Sequence, residues 1–495
     1  MLSTGNVTRA SELANYKYYV QNINADFQSP GNRHFWFTDI MVQHSPKFYL
    51  SARVASSRTI AGESMNGENF LCRYLGIGAT NIMIYGDEYK GIFPCWDWAR
   101  VPGVTCASGP VTEYSKTATT FVRTAISFAG GVSNGTCGLA SYALNWEGIS
   151  GRKLYFFTDE AMFCLGTGIT ATKATDVTTS INQTYSKGAV AINNNGTEST
   201  FTGTTQNYTN LNWVYHSNVG YYFPSEGSIT VKNDYQTGKW RDITTSGTST
   251  LNTIKTFSAW FSHGSTVTNG TYEYIVVPNQ SLTQFKAWVT KNPFSIISNT
   301  SDAQIVYNSK AKLYAAAFYK AGFAQLENGL TVTVDKPALL LIQTIATGYK
   351  ISVADPTQLL STVVINISKV LSGVGSLNNT DGTTSIFVNL PVGDYKGQSI
   401  SNEYSEVSIS AVDQTINGKN NITVFSNQTD NFFKVKLADD AETIKVLDSC
   451  GKLMLTKKVE NLTECFGENW KSGMYILKVE YIKKKNTQTK LLKKS

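Results

Sequence analysis

From Arg33 onward the apolar residues come in short β-branched and aromatic runs, with no long helical period between them. HFWFTDIMVQ, KFYLSARVAS, NIMIYG, KLYFFTD, AMFCLG, GSITVKN, KTFSAWFSHG and YEYIVVP follow one another with polar breaks. This punctuation predicts an all-β fold, opening with a large antiparallel sandwich over residues 31–298. A second, smaller β-sandwich is expected over 299–412, from AQIVYNSKAKLYAAAFYKAG through LTVTVDKPALLLIQTI, YKISVADP and STVVINISK. Its three alanines at 315–317 are helix formers, yet the flanking alternation of Tyr and Phe favours a strand. The polar stretch TINGKNNITVFSNQTD places a linker at 413–430, and a third small β-sandwich fills 431–495. Residues 1–30 read as helical or irregular, with Ser11 as a candidate cap.

Composition narrows the function classes. Hydrophobic residues make up 41% and charged residues only 16% of 495 residues, with Thr, Ser, Asn, Gly and Tyr between them, which suits an extracellular β protein. The formal net charge is +7, but six lysines from Lys483 to Lys494 sit in a tail without acids, leaving +1 for the rest. The basic balance is therefore no evidence for a nucleic-acid face. Seven cysteines occur without a CxxC pair, so zinc is not expected and buried thiols are favoured over disulfides. No apolar run reaches transmembrane length, and the first residues lack a signal-peptide core. No GxSxG, P-loop, HExxH or dinucleotide fingerprint appears.

The chemistry-bearing residues concentrate between Ser51 and Cys106. Three motifs stand there in order: SSRT (Ser56–Thr59), ES-x-NGEN (Glu63–Asn69) and W-acid-W-x-x-x-PG (Trp96–Gly103). Together they resemble the central domain, a β-supersandwich, of the polysaccharide lyase 8 family, which includes chondroitin AC, hyaluronate and xanthan lyases. The resemblance implies β-elimination at a uronic acid in an acidic polysaccharide. Such an enzyme must neutralise the uronate carboxylate, take the C5 proton and protonate the leaving oxygen. In the family an Asn, a His, a Tyr and an Arg on an N-terminal α/α toroid do this, oriented by a Glu of the β domain. Glu63 matches that Glu, and Asn66 a substrate-facing amide beside it. Arg58, Asn69, Trp96 and Trp98 are the expected substrate-binding residues, because amides and guanidinium bond sugar oxygens and indole faces stack on sugar rings. Arg58 could equally pair with an acid, turn chemistry accounts equally well for Glu68 and Asn69, and the tryptophans also read as structural.

Two departures from the family pattern matter. Some relatives bind calcium through W-acid-W-Asp and a later acid; here Ala99 replaces the second acid and CASGP supplies none, so no cofactor or metal is expected. His44 matches a family position, but Ser45 follows it where relatives have Arg; His216 and His263 read as structural. The toroid is not in the sequence before Arg33, so the chain is expected to be part of a longer protein and inactive without that domain. A non-catalytic carbohydrate-binding surface protein is the alternative. Finally, IKVLDSCGKLML (Ile444–Leu455), SGMYILKV (Ser472–Val479) and the lysine-ended tail resemble the C-terminal sorting domain of the type 9 secretion system of Bacteroidota, which implies a secreted or cell-surface location.

Overall fold

A computed structural model describes residues 30–407 apart from 174 and 380, together with parts of 11–21 and of 423–494. The expected N-terminal helix falls mostly outside them; Ser11, Ala14, Lys17, Tyr18 and Gln21 are helical. The chain divides into two compact units, residues 1–408 and 409–495.

The first unit is built of antiparallel sheets stacked face on face. A nine-stranded sheet and a five-stranded sheet enclose one core, to which Tyr155, Met162 and Tyr274 contribute from the first and Val177, Val231 and Phe257 from the second. A four-stranded sheet (Gly31–Phe35, Ile40–Ser45, Phe48–Arg53, Ala79–Met83) adds Met41, Leu50 and Ile82 to that core. The other face of the nine-stranded sheet is covered as well. Leu154, Phe156, Phe163 and Ile275 meet Val306, Leu313, Ala315 and Leu341 of a seven-stranded sheet. The far face of that sheet packs on a second five-stranded sheet through Ile305, Tyr314, Leu340, Ile365 and Ile386. The two expected sandwiches are thus fused back to back. Alternation explains how: along Ile149–Phe157, Tyr155 and Phe157 face one core while Leu154 and Phe156 face the other.

The strand Leu313–Phe318 carries the three alanines, buried throughout, so β alternation overrides their helix propensity. Three details differ from the sequence reading. HFWFTDIMVQ is a hairpin, because Asp39 turns with φ 51° and its buried carboxylate meets Arg58 at 3.2 Å. SLTQFKAWVT forms the helix Leu282–Thr290, started by a capping box between Ser281 and Gln284 that seats Phe285 in the core. The seven-stranded sheet already begins at Phe294, and its last strand in the chain, Ile400–Glu406, ends the unit.

The second unit holds a three-stranded and a four-stranded sheet around Val435, Ile444, Val446, Leu477 and Val479. Thr423–Phe425, inside the expected linker, pairs with Phe433–Lys436, and the lysine-rich tail forms the strand Thr487–Lys494. Gly451, a residue that permits a hairpin turn within IKVLDSCGKLML, lies outside the described residues, between the paired strands Ala441–Asp448 and Leu453–Lys458. Cys72, Cys95, Cys106, Cys137 and Cys164 are buried free thiols, whereas Cys465 is an exposed one and Cys450 lies outside the described residues.

One charged group sits inside the larger core. Lys153 is fully buried, donates to the Gly103 carbonyl, and has the rings of Tyr142, Tyr155 and Tyr272 at 5.9, 5.8 and 5.7 Å. Burial pulls its amine down to about 7, below the ordinary lysine value. Between that value and about 10.4 the unfolded chain binds the extra proton, so this residue makes stability rise with pH across that window. The Tyr155 hydroxyl lies 2.9 Å from the Gly78 oxygen and 3.2 Å from the Gly103 oxygen, so it can turn its one proton to Gly103 when the amine is removed. We therefore expect Lys153→Met to be at least as stable as the parent at pH 7. Its advantage should shrink toward about pH 8.5, read from urea midpoints of the two proteins side by side. A variant destabilised at pH 7, or a constant difference, would contradict this.

Candidate functional site

Glu63 occupies the middle of the strand Gly62–Ser64, which pairs with the distant strand Thr120–Val122. Glu63 lies directly opposite Phe121 in that ladder, so both side chains leave the same face of the ribbon. Glu63 is half-buried, while Phe121 is 43% exposed with the Arg123 guanidinium 5.7 Å over its ring. A carboxylate, an open aromatic ring and a cation therefore share one small surface. Neither Phe121 nor Arg123 stood out in the sequence, because the pairing that brings them here spans a long loop.

The chain then reverses in a tight turn. Glu68 N donates to the Met65 oxygen at 2.9 Å, and Asn66 and Gly67 take φ values of 55° and 74°. Two successive left-handed residues are the type I′ hairpin geometry that an Asn-Gly pair favours. Asn66 and Glu68 are exposed. Asn69, also left-handed at 63°, donates its side-chain amide to the Glu63 carbonyl at 2.7 Å. The turn is tied from outside by the Gly67 carbonyl, which accepts from Thr245 N at 2.7 Å and Thr245 Oγ1 at 3.1 Å, and by Phe70 N, which donates to the Ile243 oxygen at 3.0 Å. Thr245 and Ile243 stand on the tip of the long ribbon formed by Ile229–Gly238 and Asn252–Gly264.

The same ribbon holds the tryptophan motif. Gln236 donates to the Cys95 oxygen at 2.6 Å and to Gln183 Oε1 at 3.0 Å, and Gln183 in turn binds the Asp97 backbone in both directions. Gly238 packs so close to Pro94 that an added Cβ would lie 1.7 Å from its carbonyl oxygen. Trp96 and Trp98 cross edge-to-face at 5.6 Å, with Phe93 5.2 Å from Trp96. Trp98 is only 8% exposed, so the structure does not bring it to an open surface; Trp96 is half-buried. The Asp97 carboxylate accepts from Ala99 N at 3.0 Å, capping the short turn Trp98–Arg100. Among the described residues no group of three or more His, Cys, Asp or Glu side chains gathers to hold a metal ion.

Arg58 points elsewhere. Its guanidinium meets the Asp39 carboxylate and the carbonyls of Ser127, Ala129, Pro356 and Thr357, bridging the four-stranded sheet to a loop of the smaller sandwich. His34, His216 and His263 are each pushed down to about 4, chiefly by burial. His216 accepts from Lys187 N at 3.0 Å and stacks on Phe257; His263 contacts Thr179 Oγ1 at 2.8 Å. His44 is half-buried opposite Tyr49 and lines a surface hollow with Tyr85.

The turn separates two roles of Asn66. Asn66→Gly keeps the left-handed conformation and should change stability by only a few tenths of a kcal/mol, whereas Asn66→Ala should cost about 1 kcal/mol or more. Urea unfolding of the two variants checks this; equal losses would mean that the turn does not depend on φ at this position.

Comparison with known proteins places these elements. Residues 30–289 match the polysaccharide lyase family 8 super-sandwich domain, 295–364 the C-terminal beta-sandwich domain of the same family, and 423–494 a secretion system C-terminal sorting domain. The chain is 33% identical over 348 residues to chondroitinase-AC of Pedobacter heparinus, covering 70% of this chain and 49% of that protein. It is 29% identical to xanthan lyase of a Bacillus species, covering 68% of this chain and 37% of that one, and 27% identical to hyaluronate lyase of Thermasporomyces composti, covering 70% and 45%. The chain therefore spans about half or less of the length of these relatives. A chondroitinase AC lyase structure solved with oligosaccharides superposes with a TM-score of 0.71 at 29% identity, covering 80% of this chain and 57% of that one. A Paenibacillus xanthan lyase structure gives 0.71 at 20% identity, covering 98% of this chain and 52% of that one, a likeness of fold.

Proposed function

The chain belongs to polysaccharide lyase family 8, and from that premise we propose that it supplies the β side of a lyase cleft that cleaves a uronic-acid-bearing glycosaminoglycan by β-elimination. The sorting domain directs it by type 9 secretion to the cell surface or beyond, where such polymers are met. No described helix is long and apolar enough to cross a membrane.

The observation that carries the reading is the shared face of Glu63, Phe121 and Arg123. A uronate-bearing chain offers a carboxylate, hydroxyls and an apolar ring face. Arg123 complements the first, the amides of Asn66 and Asn69 the second, and the Phe121 ring the third. The Glu63 carboxylate serves as an acceptor that orients and charges the groups which neutralise the uronate and move its C5 proton. On this reading those proton-moving groups, an Asn, a His, a Tyr and an Arg, stand on a helical toroid domain that completes the cleft. The ribbon tip at Ile243 and Thr245 fixes the height of the Glu63 turn in that cleft.

The test uses the chain joined to such a helical domain, with release of unsaturated uronate as the readout. Glu63→Gln should lower kcat on the order of 10²-fold or more while leaving the fold intact. Unchanged turnover would remove Glu63 from the mechanism. The 495-residue chain alone should release no unsaturated product; measurable elimination would show that the proton-moving groups lie within it.

A further inference from the structure

The nine-stranded and five-stranded sheets open at one end, where their edge strands Thr197–Thr200 and Thr205–Tyr208 follow each other in the chain. Between these edges lies a cavity of about 290 Å³ with no residue in common with the Glu63 face. Phe201 and Tyr208, whose rings are largely buried in the larger core, line it together with Asn194, Ser199, Thr200 and Gln206. No charged side chain lines it.

The hydrogen bonding divides by face. Residues turned away from the cavity are paired: Asn193 accepts from Gly196 N at 3.1 Å, Asn207 from Ser228 and Thr230 at 3.2 and 3.1 Å, and Glu198 binds Lys286 at 2.7 Å. Their strand neighbours that line the cavity, Asn194, Ser199, Gln206 and Tyr208, make no side-chain hydrogen bond within the described residues. Alternation sends Glu198, the sole carboxylate of these edge strands, and Thr200 with it to the outer face, and places Asn194, Ser199, Gln206 and Tyr208 on the cavity side, where Ser199 and Gln206 are open to water.

We propose that this cavity is a second sugar site, which takes one uncharged pyranose residue of a glycan. Hydroxyls and amides match the hydroxyl and acetamido groups of such a ring, and the parts of the Phe201 and Tyr208 rings that reach the cavity meet its apolar face. A uronate fits poorly, because its carboxylate would lose water without meeting a cation. The volume, near the lower end of about 300–1,000 Å³ for small-molecule pockets, suits a single ring. A site of this kind holds polymer on the secreted protein independently of the cleft at Glu63, so it stands whether or not that cleft performs elimination.

Calorimetry or saturation-transfer NMR on the 495-residue chain tests it, with the methyl glycosides of N-acetylglucosamine and of glucuronic acid as probes. The uncharged probe should bind with a dissociation constant on the order of 1 mM, and the uronate at least about tenfold more weakly. Tyr208→Phe, which keeps the buried ring, together with Ser199→Ala and Gln206→Ala, should weaken the uncharged probe about tenfold or more. Glu63→Gln should leave that affinity unchanged. The proposal is overturned if the uncharged probe does not bind at concentrations up to about 50 mM. Equal affinity for the two probes, full affinity in the triple variant, or loss of affinity in Glu63→Gln would overturn it as well.

Discussion

The burial of the nine-stranded sheet on both faces is the constraint that orders everything else in the larger unit. A sheet with one solvated face needs apolar residues at every second position; this one needs them at nearly all. Tyr155 and Phe157 fill the core toward the five-stranded sheet, while Leu154, Phe156 and Phe163 meet the seven-stranded sheet. The small side chains of Ala315 and Ala317 leave room for those rings on the facing strand. Several polar groups inside the stack are held by partners, although the Tyr272 and Tyr274 hydroxyls are buried without a hydrogen bond among the described residues. Tyr319 bonds Ser141 of the nine-stranded sheet at 2.8 Å and Gln304 of the adjoining strand in its own sheet at 2.5 Å, and Arg58 gathers acceptors from three segments of chain at the edge of the stack.

Rigidity in the stack passes to the candidate site through one ribbon. Its strands, Ile229–Gly238 and Asn252–Gly264, are anchored by Val231, Phe257 and Phe261 in the core and run on beyond it. Along that extension Gln236 fixes the tryptophan motif, Gly238 clears Pro94, and Ile243 with Thr245 fixes the Asn66–Gly67 turn. Two sequence motifs that lie apart in the chain thus share a single mechanical support. The Lys153 amine, with the Tyr155 hydroxyl beside it, adds a second support from below, since it holds the Gly103 carbonyl that closes the tryptophan segment.

Local pattern carried far into this fold. The strands were legible from alternation, Leu313–Phe318 among them, and the Asn66–Gly67 turn was legible because few residues tolerate two left-handed positions in succession. The capping box at Ser281 was present in the sequence as S-x-x-Q, yet this helix was not among the elements read from the sequence. What local pattern could not carry was pairing at a distance. Nothing near Arg58 announces Asp39 or Pro356, and nothing near Glu63 announces Phe121 or Thr245. Those partners follow from how sheets stack, which depends on the whole chain at once.

The same stacking limits what chemistry the sandwiches can perform. A side chain that shuttles a proton works best with a pKa near the working pH. Burial draws His34, His216 and His263 down to about 4, so they stand neutral at neutral pH, and it pushes Cys106 and Cys164 up to about 12. These groups are bound into the core as neutral packing elements, His216 stacked on Phe257 and Cys106 bonded to the Ala99 carbonyl. The ribbon beside Asn66 offers a different set: a carboxylate, two amides, an exposed ring and a guanidinium. On the proposed reading the amides and the guanidinium bind and polarise an acidic sugar but exchange no proton with it easily, since an amide does not titrate and a guanidinium holds its proton at any ordinary pH. The division of labour on this reading follows from burial: the histidines and thiols packed in the β stack stand neutral, Lys153, though drawn to about 7, is enclosed in the core away from any surface, and proton transfer falls to a helical partner surface.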